Sequence, residues 1–228
     1  MIIQIYSMTS VGDAVMVAEA GADQIGVVVA EPGIVPEGIG TEAAREIMAA
    51  IRPRARGVAL SLADDREEIC AVVDAVRPDI VHVAAREIEP EDCAWIRERV
   101  APVRLLRAIA VRAGETITEA DAHQDAADYL MLDSGAKGLP FTGASGETHD
   151  WQISRTIVER SRVPVILAGG LSAENVGQAI AMVRPWGVDS FTHTDVPGQR
   201  GKKDPARVRA FIAAALRGFA AMVESAAP

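Results

Sequence analysis

Residues 163–191 read "VPVILAGGLSAENVGQAIAMVRPWGVDSF", and this stretch decides the fold. Val165–Ala168 is apolar without alternation, as expected of a strand covered on both faces. The run stops at Gly169-Gly170, and Ser172, a good capping residue, marks the start of a helix. Val176, Ala179, Ile180 and Val183 then fall at i, i+3, i+4 and i+7, one helix face. A second strand follows at Val188–Phe191. The unit is strand, glycine turn, helix, strand.

Working outward, the same unit recurs along the chain. Further strands are predicted at Ile2–Tyr6, Gln24–Val29, Gly57–Leu62, Ile80–Ala84, Leu105–Ala110 and Tyr129–Leu132, which makes eight in all. Helical spacing is clear at Ala44, Ile47, Met48 and Ile51, at Ile69, Val72, Val73 and Val76, and at Val208, Phe211, Ile212 and Ala215. Ser10 precedes the first helix, and Asp204-Pro205 supplies a cap and a first-turn proline for the last. The helices after strands four and five carry weaker signals. Eight strand–helix units of roughly 25–30 residues predict an α/β chain folded as one (β/α)8 TIM barrel domain over residues 1–228. A doubly wound open sheet is the alternative, but no GxGxxG follows the first strand.

Composition narrows the function. The net charge of −9 argues against nucleic acid and anionic membrane as partners. It leaves room for a small anion held by backbone N–H groups. No run is long enough to span a bilayer, and Met1 leads into "IIQIY" without an export signal, so a cytoplasmic protein is expected. Cys70 and Cys93 lack CxxC spacing and are read as buried structural thiols.

In such a barrel the chemistry sits at the C-terminal ends of the strands. That selects Tyr6, Ser7, Asp133, Gly169, Gly170, Thr192 and His193. Gly169-Gly170, opening onto a helix start, reads either as a phosphate cradle or as a tight turn in which glycine relieves strain. The loop "SFTHTDVPGQRGKKD" at 190–204 could lend Thr192 to the same anion, with His193 and Asp195 as further candidates. Arg200, Lys202 and Lys203 are read as a surface cluster before the last helix, with a second reading in which one of them reaches the anion. Asp133 ends an apolar strand, where desolvation raises a carboxyl pKa and suits it to general acid work. The alternative is an aspartate that caps its own loop. The following loop, 134–149, carries Gly135, Gly138, Gly143 and Gly146 and is expected to fold over the site and exclude water. No HExxH or other metal-ligand pattern is found, and proton transfer between adjacent carbons needs neither metal nor cofactor.

Several motifs then point to one family. "MLDS" (131–134), "GASGETHDW" (143–151), "ILAGGLSAENV" (166–176), "VRPWGVD" (183–189) and "KDPARVRAF" (203–211) resemble "LLDS…GGTGKTFDW", "ILAGGLTPENV", "VRPYGVD" and "PGxKDPxKIRAF" of the phosphoribosylanthranilate isomerases. "DAVMVAEAGADQIGVV" (13–28) is similar to that family's first helix and second strand. The resemblance implies a TIM barrel that performs a cofactor-free Amadori rearrangement of an N-linked aldose phosphate, in tryptophan synthesis. It implies that Asp133 is the general acid and that Gly169 and Gly170 hold phosphate. It places Tyr6 where the family's basic cysteine stands, "KICGIT" matching "QIYSMT". It sets "EPGIVPEGIG" (31–40), without arginine, against the "SPRxV" segment whose arginine faces the anthranilate carboxylate. His82 and Ala84 replace the Gln and His of "QLHGDE", while Thr192 and Asp195 fall on a serine and the glutamate of "VSSGVE".

Three readings follow. The first is an isomerase or epimerase acting on a changed substrate, a small phosphorylated sugar or sugar-like compound. There Asp133 serves as acid or acid/base, and Tyr6, or else His82 or His193, as its proton-transfer partner. The second keeps the family's rearrangement with a substitute base. The third is a non-catalytic barrel that binds a phosphorylated ligand. The expected partner is a small phosphorylated molecule, and the chain is expected to be a monomer or homodimer.

Overall fold

A computed structural model describes residues 1–31, 33–112, 115–135, 142 and 146–225. The elements in chain order are β1 (Ile2–Ile5), α1 (Val11–Glu19), β2 (Gln24–Val29), β3 (Gly38–Ile39), α2 (Thr41–Ile51), β4 (Arg56–Ser61), α3 (Arg66–Val76), β5 (Ile80–Val83) and α4 (Pro90–Val100). Then come β6 (Arg104–Val111), α5 (Thr116–His123), β7 (Tyr129–Ser134), α6 (Trp151–Arg160), β8 (Val165–Leu167), α7 (Val176–Val183), β9 (Gly187–Ser190), β10 (Asp195–Val196), β11 (Gln199–Lys203) and α8 (Pro205–Glu224). All eight expected strands are present, as are the two weakly signalled helices, α4 and α5. The short β3 and the β10–β11 hairpin were not anticipated.

The barrel closes through β1. Gln4 of β1 lies beside Gln24 of β2 on one side and Asp189 of β9 on the other, both pairings parallel. The remaining barrel strands run β9, β8, β7, β6, β5, β4, β2 around the ring, and β3 attaches to β2 outside it. The alternation of a strand divides its side chains between two cores. Inward positions build a narrow stack of Tyr6, Val58, Ile80, Leu106, Met131, Ile166 and Ala168. Outward positions pack under the helices, where Ile25, Ile69, Leu132, Ile180 and Phe211 are buried. The helix faces marked by spacing in the sequence supply the other half of that layer. Cys70 and Cys93 lie in it as buried free thiols, as expected.

Caps hold the helices where the sequence put them. The Ser10 hydroxyl accepts from the Asp13 N–H, and Asp204 accepts from the Ala206 and Arg207 N–H groups. One start moves. The seventh helix begins at Val176, not at Ser172. The Ser172 N–H donates to Asn175 Oδ1, and the Asn175 amide reaches back to the Gly170 carbonyl at 3.0 Å. Those bonds spend residues 172–175 on a turn before the helix can begin. Among the described residues no helix is long and apolar enough to cross a membrane.

Candidate active site

The C-terminal strand ends open into a cavity of about 710 Å³, its open mouth included. Its lining is divided by chemistry. Val28, Val35, Leu60 and Leu62 form an apolar end, while Gly146, Gly169, Gly170 and Thr192 form a backbone-rich end. Asp133, Asp189 and Glu37 also face this space. Among the described residues no three His, Cys, Asp or Glu side chains converge as a metal site would require.

Asp133 stands at the end of β7, half-buried. Its Oδ1 accepts from the Ser134 N–H at 2.6 Å and the Ser134 hydroxyl at 3.2 Å. Burial pushes its carboxyl up to about 6, against the opposing pull of those two bonds. Asp189 on β9 lies deeper, and Gln4 Nε2 donates to its Oδ1 at 3.1 Å. Burial, aided by the nearby Asp133 charge, pushes Asp189 up to about 8, although the Gln4 bond lowers it. Reading the sequence passed over Asp189 as a strand residue. Its signal was a lone acid inside the apolar strand of "VRPWGVDSF", in register with the interior residue Gln4.

Tyr6 and His82 form a second polar pair on the inner wall. The Tyr6 hydroxyl and His82 Nδ1 are 2.8 Å apart, with the rings edge to face at 5.6 Å. Gly26 makes room for the phenol, because a Cβ there would sit 2.3 Å from Tyr6 Cε1. Burial, with the Asp189 charge second, raises the phenol well above its ordinary value. Burial, with Arg107 second, lowers His82 to about 3. The pair is therefore neutral at pH 7.

The glycine pair is used for close approach. Gly169 and Gly170 have φ of +81° and +61°. A Cβ on Gly169 would lie 2.9 Å from His149 Nδ1 and 3.2 Å from Asp133 Oδ1. One on Gly170 would lie 2.7 Å from the Glu147 carbonyl carbon. Residues 146–149 thus run across this turn, and Gly146 meets Thr192. Gly138 and Gly143, and most of the loop expected to cover the site, lie outside the described residues.

The loop after β9 departs from its reading. Lys203 is not on the surface. Its ammonium is buried, donating to Asp195 Oδ1 at 2.5 Å, to Thr194 Oγ1 at 3.2 Å, to the Phe191 carbonyl at 3.3 Å and to the Tyr6 carbonyl. A buried ammonium persists only when paired, and the β10–β11 hairpin folds Lys203 back to make that pair. Asp195 is committed to this contact and to the Gly201 N–H at 2.9 Å, and it is absent from the cavity lining. Arg200 is exposed, and its Nε and Nη2 donate to Glu37 Oε2 and Oε1 at 2.8 and 2.9 Å. Of the expected cluster, Arg200 and Lys202 are exposed and Lys203 is not. His193 lies at the exposed mouth, and His82 lies deep inside.

The geometry can be set beside known proteins. The family profile described as N-(5'phosphoribosyl)anthranilate (PRA) isomerase matches residues 3–214. The chain is 36% identical to the N-(5'-phosphoribosyl)anthranilate isomerase of Methanocella arvoryzae, over 92% of this chain and 95% of that protein. It is equally similar, over the same shares, to its namesake in Pseudomonas putida. The crystal structure of the Thermotoga maritima phosphoribosyl anthranilate isomerase superposes with a TM-score of 0.82 at 28% identity, covering 95% of this chain and all of that one. A structure of such an isomerase in complex with reduced 1-(o-carboxyphenylamino)-1-deoxyribulose 5-phosphate gives 0.79 at 27%, with the same coverage.

Proposed function

This chain belongs to the N-(5'-phosphoribosyl)anthranilate isomerase family and is an intramolecular isomerase; on that premise we propose that it performs the family's Amadori rearrangement in tryptophan biosynthesis, with Asp133 and Asp189 as its proton-transfer pair. Relatives that match over nearly the whole chain support this reaction over a changed substrate. The observation that carries the mechanism is the pair of carboxyls in one cavity, pushed to about 6 and about 8. Two groups held in different protonation states can divide acid and base roles between them.

At pH 7 the pair holds about one proton, resting on Asp189. Asp189 gives it to the furanose ring oxygen as the C1–O bond breaks and the nitrogen lone pair forms the C1=N iminium. Ionised Asp133 takes the proton from C2, and the C–H pair becomes the C1=C2 bond of an enolamine. Proton return to C1 and loss of the C2 hydroxyl proton give the 1-amino-1-deoxyketose. Bonds and protons balance, and no electrons leave the substrate. The phosphate rests on Gly169, Gly170 and Thr192, where backbone N–H groups can receive it without a cation. Tyr6 is a wall in this reading. A phenol raised above its usual value and bonded to His82 is a poor proton acceptor at neutral pH.

The test is direct. The purified protein should consume phosphoribosylanthranilate, and D133N should lose that turnover by about 10²- to 10⁴-fold while still binding. Unchanged turnover in D133N would remove Asp133 from the reaction.

A further inference from the structure

A polar atom in the cavity wall has no partner. His82 lies on β5 two residues after Ile80, so the alternation of the strand turns both side chains into the barrel. Its ring is only 5% exposed, yet it lines the cavity. Nδ1 meets the Tyr6 hydroxyl at 2.8 Å, while Nε2 is buried with no hydrogen-bond partner among the described residues. Buried polar atoms in folded proteins are nearly always paired, so one left open in a cavity wall points to a ligand that completes it.

The Tyr6 contact assigns the character of that atom. The imidazole nitrogen is more basic than the phenol oxygen, so the hydrogen shared between them belongs to the phenol and Nδ1 accepts it. The neutral ring then carries its own hydrogen on Nε2. The contact disables the pair as acid or base and leaves His82 an uncharged N–H donor. A donor without charge does not disturb the proton balance of Asp133 and Asp189. Its position selects what it can hold. His82 lies in register with Leu60, which belongs to the apolar end of the cavity. An aryl ring fits on Val28, Val35, Leu60 and Leu62, and the phosphate rests at the glycine turn. C1 and C2 of the substrate then bridge the two ends, and the oxygen they keep into the product is the C2 hydroxyl, which becomes the ketone.

We propose that His82 binds the C2 oxygen of the substrate through its Nε2–H and holds that oxygen through the rearrangement. This assignment rests on the isomerase reading of the same site. In the last step Asp133 returns to C1 the proton it took from C2. Asp189, ionised since it gave its proton to the ring oxygen, takes the C2 hydroxyl proton. The O–H pair becomes the C2=O bond, the C1=C2 pair becomes the new C1–H bond, and both carboxyls end as they began. The C2 oxygen gains electron density as its O–H bond breaks, and a neutral donor already bonded to it stabilises that charge.

The experiment is calorimetric titration of wild type, H82L and Y6F with two ligands. One is reduced 1-(o-carboxyphenylamino)-1-deoxyribulose 5-phosphate, which carries a C2 hydroxyl, and the other is its 2-deoxy counterpart. Wild type should prefer the first by about tenfold, the range of one net hydrogen bond. H82L should bind the two alike. Y6F should keep the preference, because Nε2 can still carry its hydrogen, and this separates contact with the ligand from support of Tyr6. Should H82L fail to fold, Y6F/H82L takes its place, since it leaves no phenol hydroxyl unpaired, and it should also bind the two alike. No preference in wild type, a preference that survives the loss of His82, or one that disappears in Y6F overturns the assignment. Turnover of phosphoribosylanthranilate, measured separately, distinguishes the two readings. Turnover without a His82-dependent preference sinks this inference alone. A His82-dependent preference without turnover sinks the reaction and leaves the contact standing.

Discussion

Two polar pairs occupy the inner wall of this barrel, and they differ in what burial does to them. Tyr6 and His82 satisfy each other at 2.8 Å, and burial drives both towards their neutral forms. Asp133 and Asp189 are satisfied by Ser134 and Gln4 instead, so each keeps carboxyl capacity turned to the cavity. Burial then brings these two into the range where protons are exchanged near neutrality. The lesson is that polarity inside a barrel does not by itself mark chemistry. Tyr6 and His82 quench each other, whereas the pair with separate supports is the one proposed above to move protons.

Several changes would break or sharpen that contrast. The largest effect falls on D133N, at the loss in turnover given above. The buried Lys203 comes next. K203M strands Asp195 without its partner and should destabilise the fold by about 3–5 kcal/mol, read by urea unfolding. Equal stability would mean that the pair contributes nothing. G169A should follow, because its methyl group would press on Asp133 Oδ1 and His149 Nδ1 and move the Asp133 carboxylate. A displacement near 1 Å is worth about 10² in kcat. Y6F should matter least, changing kcat by less than about tenfold, against the 10² or more expected of a general base. A larger loss would promote Tyr6 from wall to catalyst.

The contrast also bears on stability. A carboxyl whose folded-state pKa is raised binds its proton more tightly when folded than when unfolded, where it titrates near 4. Its favourable contribution is present below that value and is lost as pH rises through the folded value, about 6 for Asp133 and about 8 for Asp189. D189N removes the second loss. Its Tm relative to wild type should therefore rise between pH 5 and pH 9, a trend that a pH-independent difference would refute.

Much of the scaffold was legible in the sequence because parallel strands covered on both faces are continuous apolar runs. β2, "QIGVVV", is buried at every position. The β11 strand reads "QRGKK" and carries no apolar pattern, so its hairpin was missed, and with it the burial of Lys203. That burial depends on Asp195, Thr194 and the carbonyls of Tyr6 and Phe191 converging on one ammonium, which no spacing rule encodes. Asp133 was legible as an acid that stops a strand. Asp189 was not, because an acid within a strand looks like an outward-facing residue until the register with Gln4 turns it inward. Tyr6 was found, but its partner lies 76 residues away, and only the closed barrel brings the two together.

The pH dependence of kcat/KM for phosphoribosylanthranilate, in wild type and in D189N, tests the carboxyl pair most directly. The account predicts a bell for wild type with limbs near 6 and 8, and for D189N a much lower rate whose alkaline limb has vanished. A D189N profile that matches wild type in height and in both limbs would contradict it.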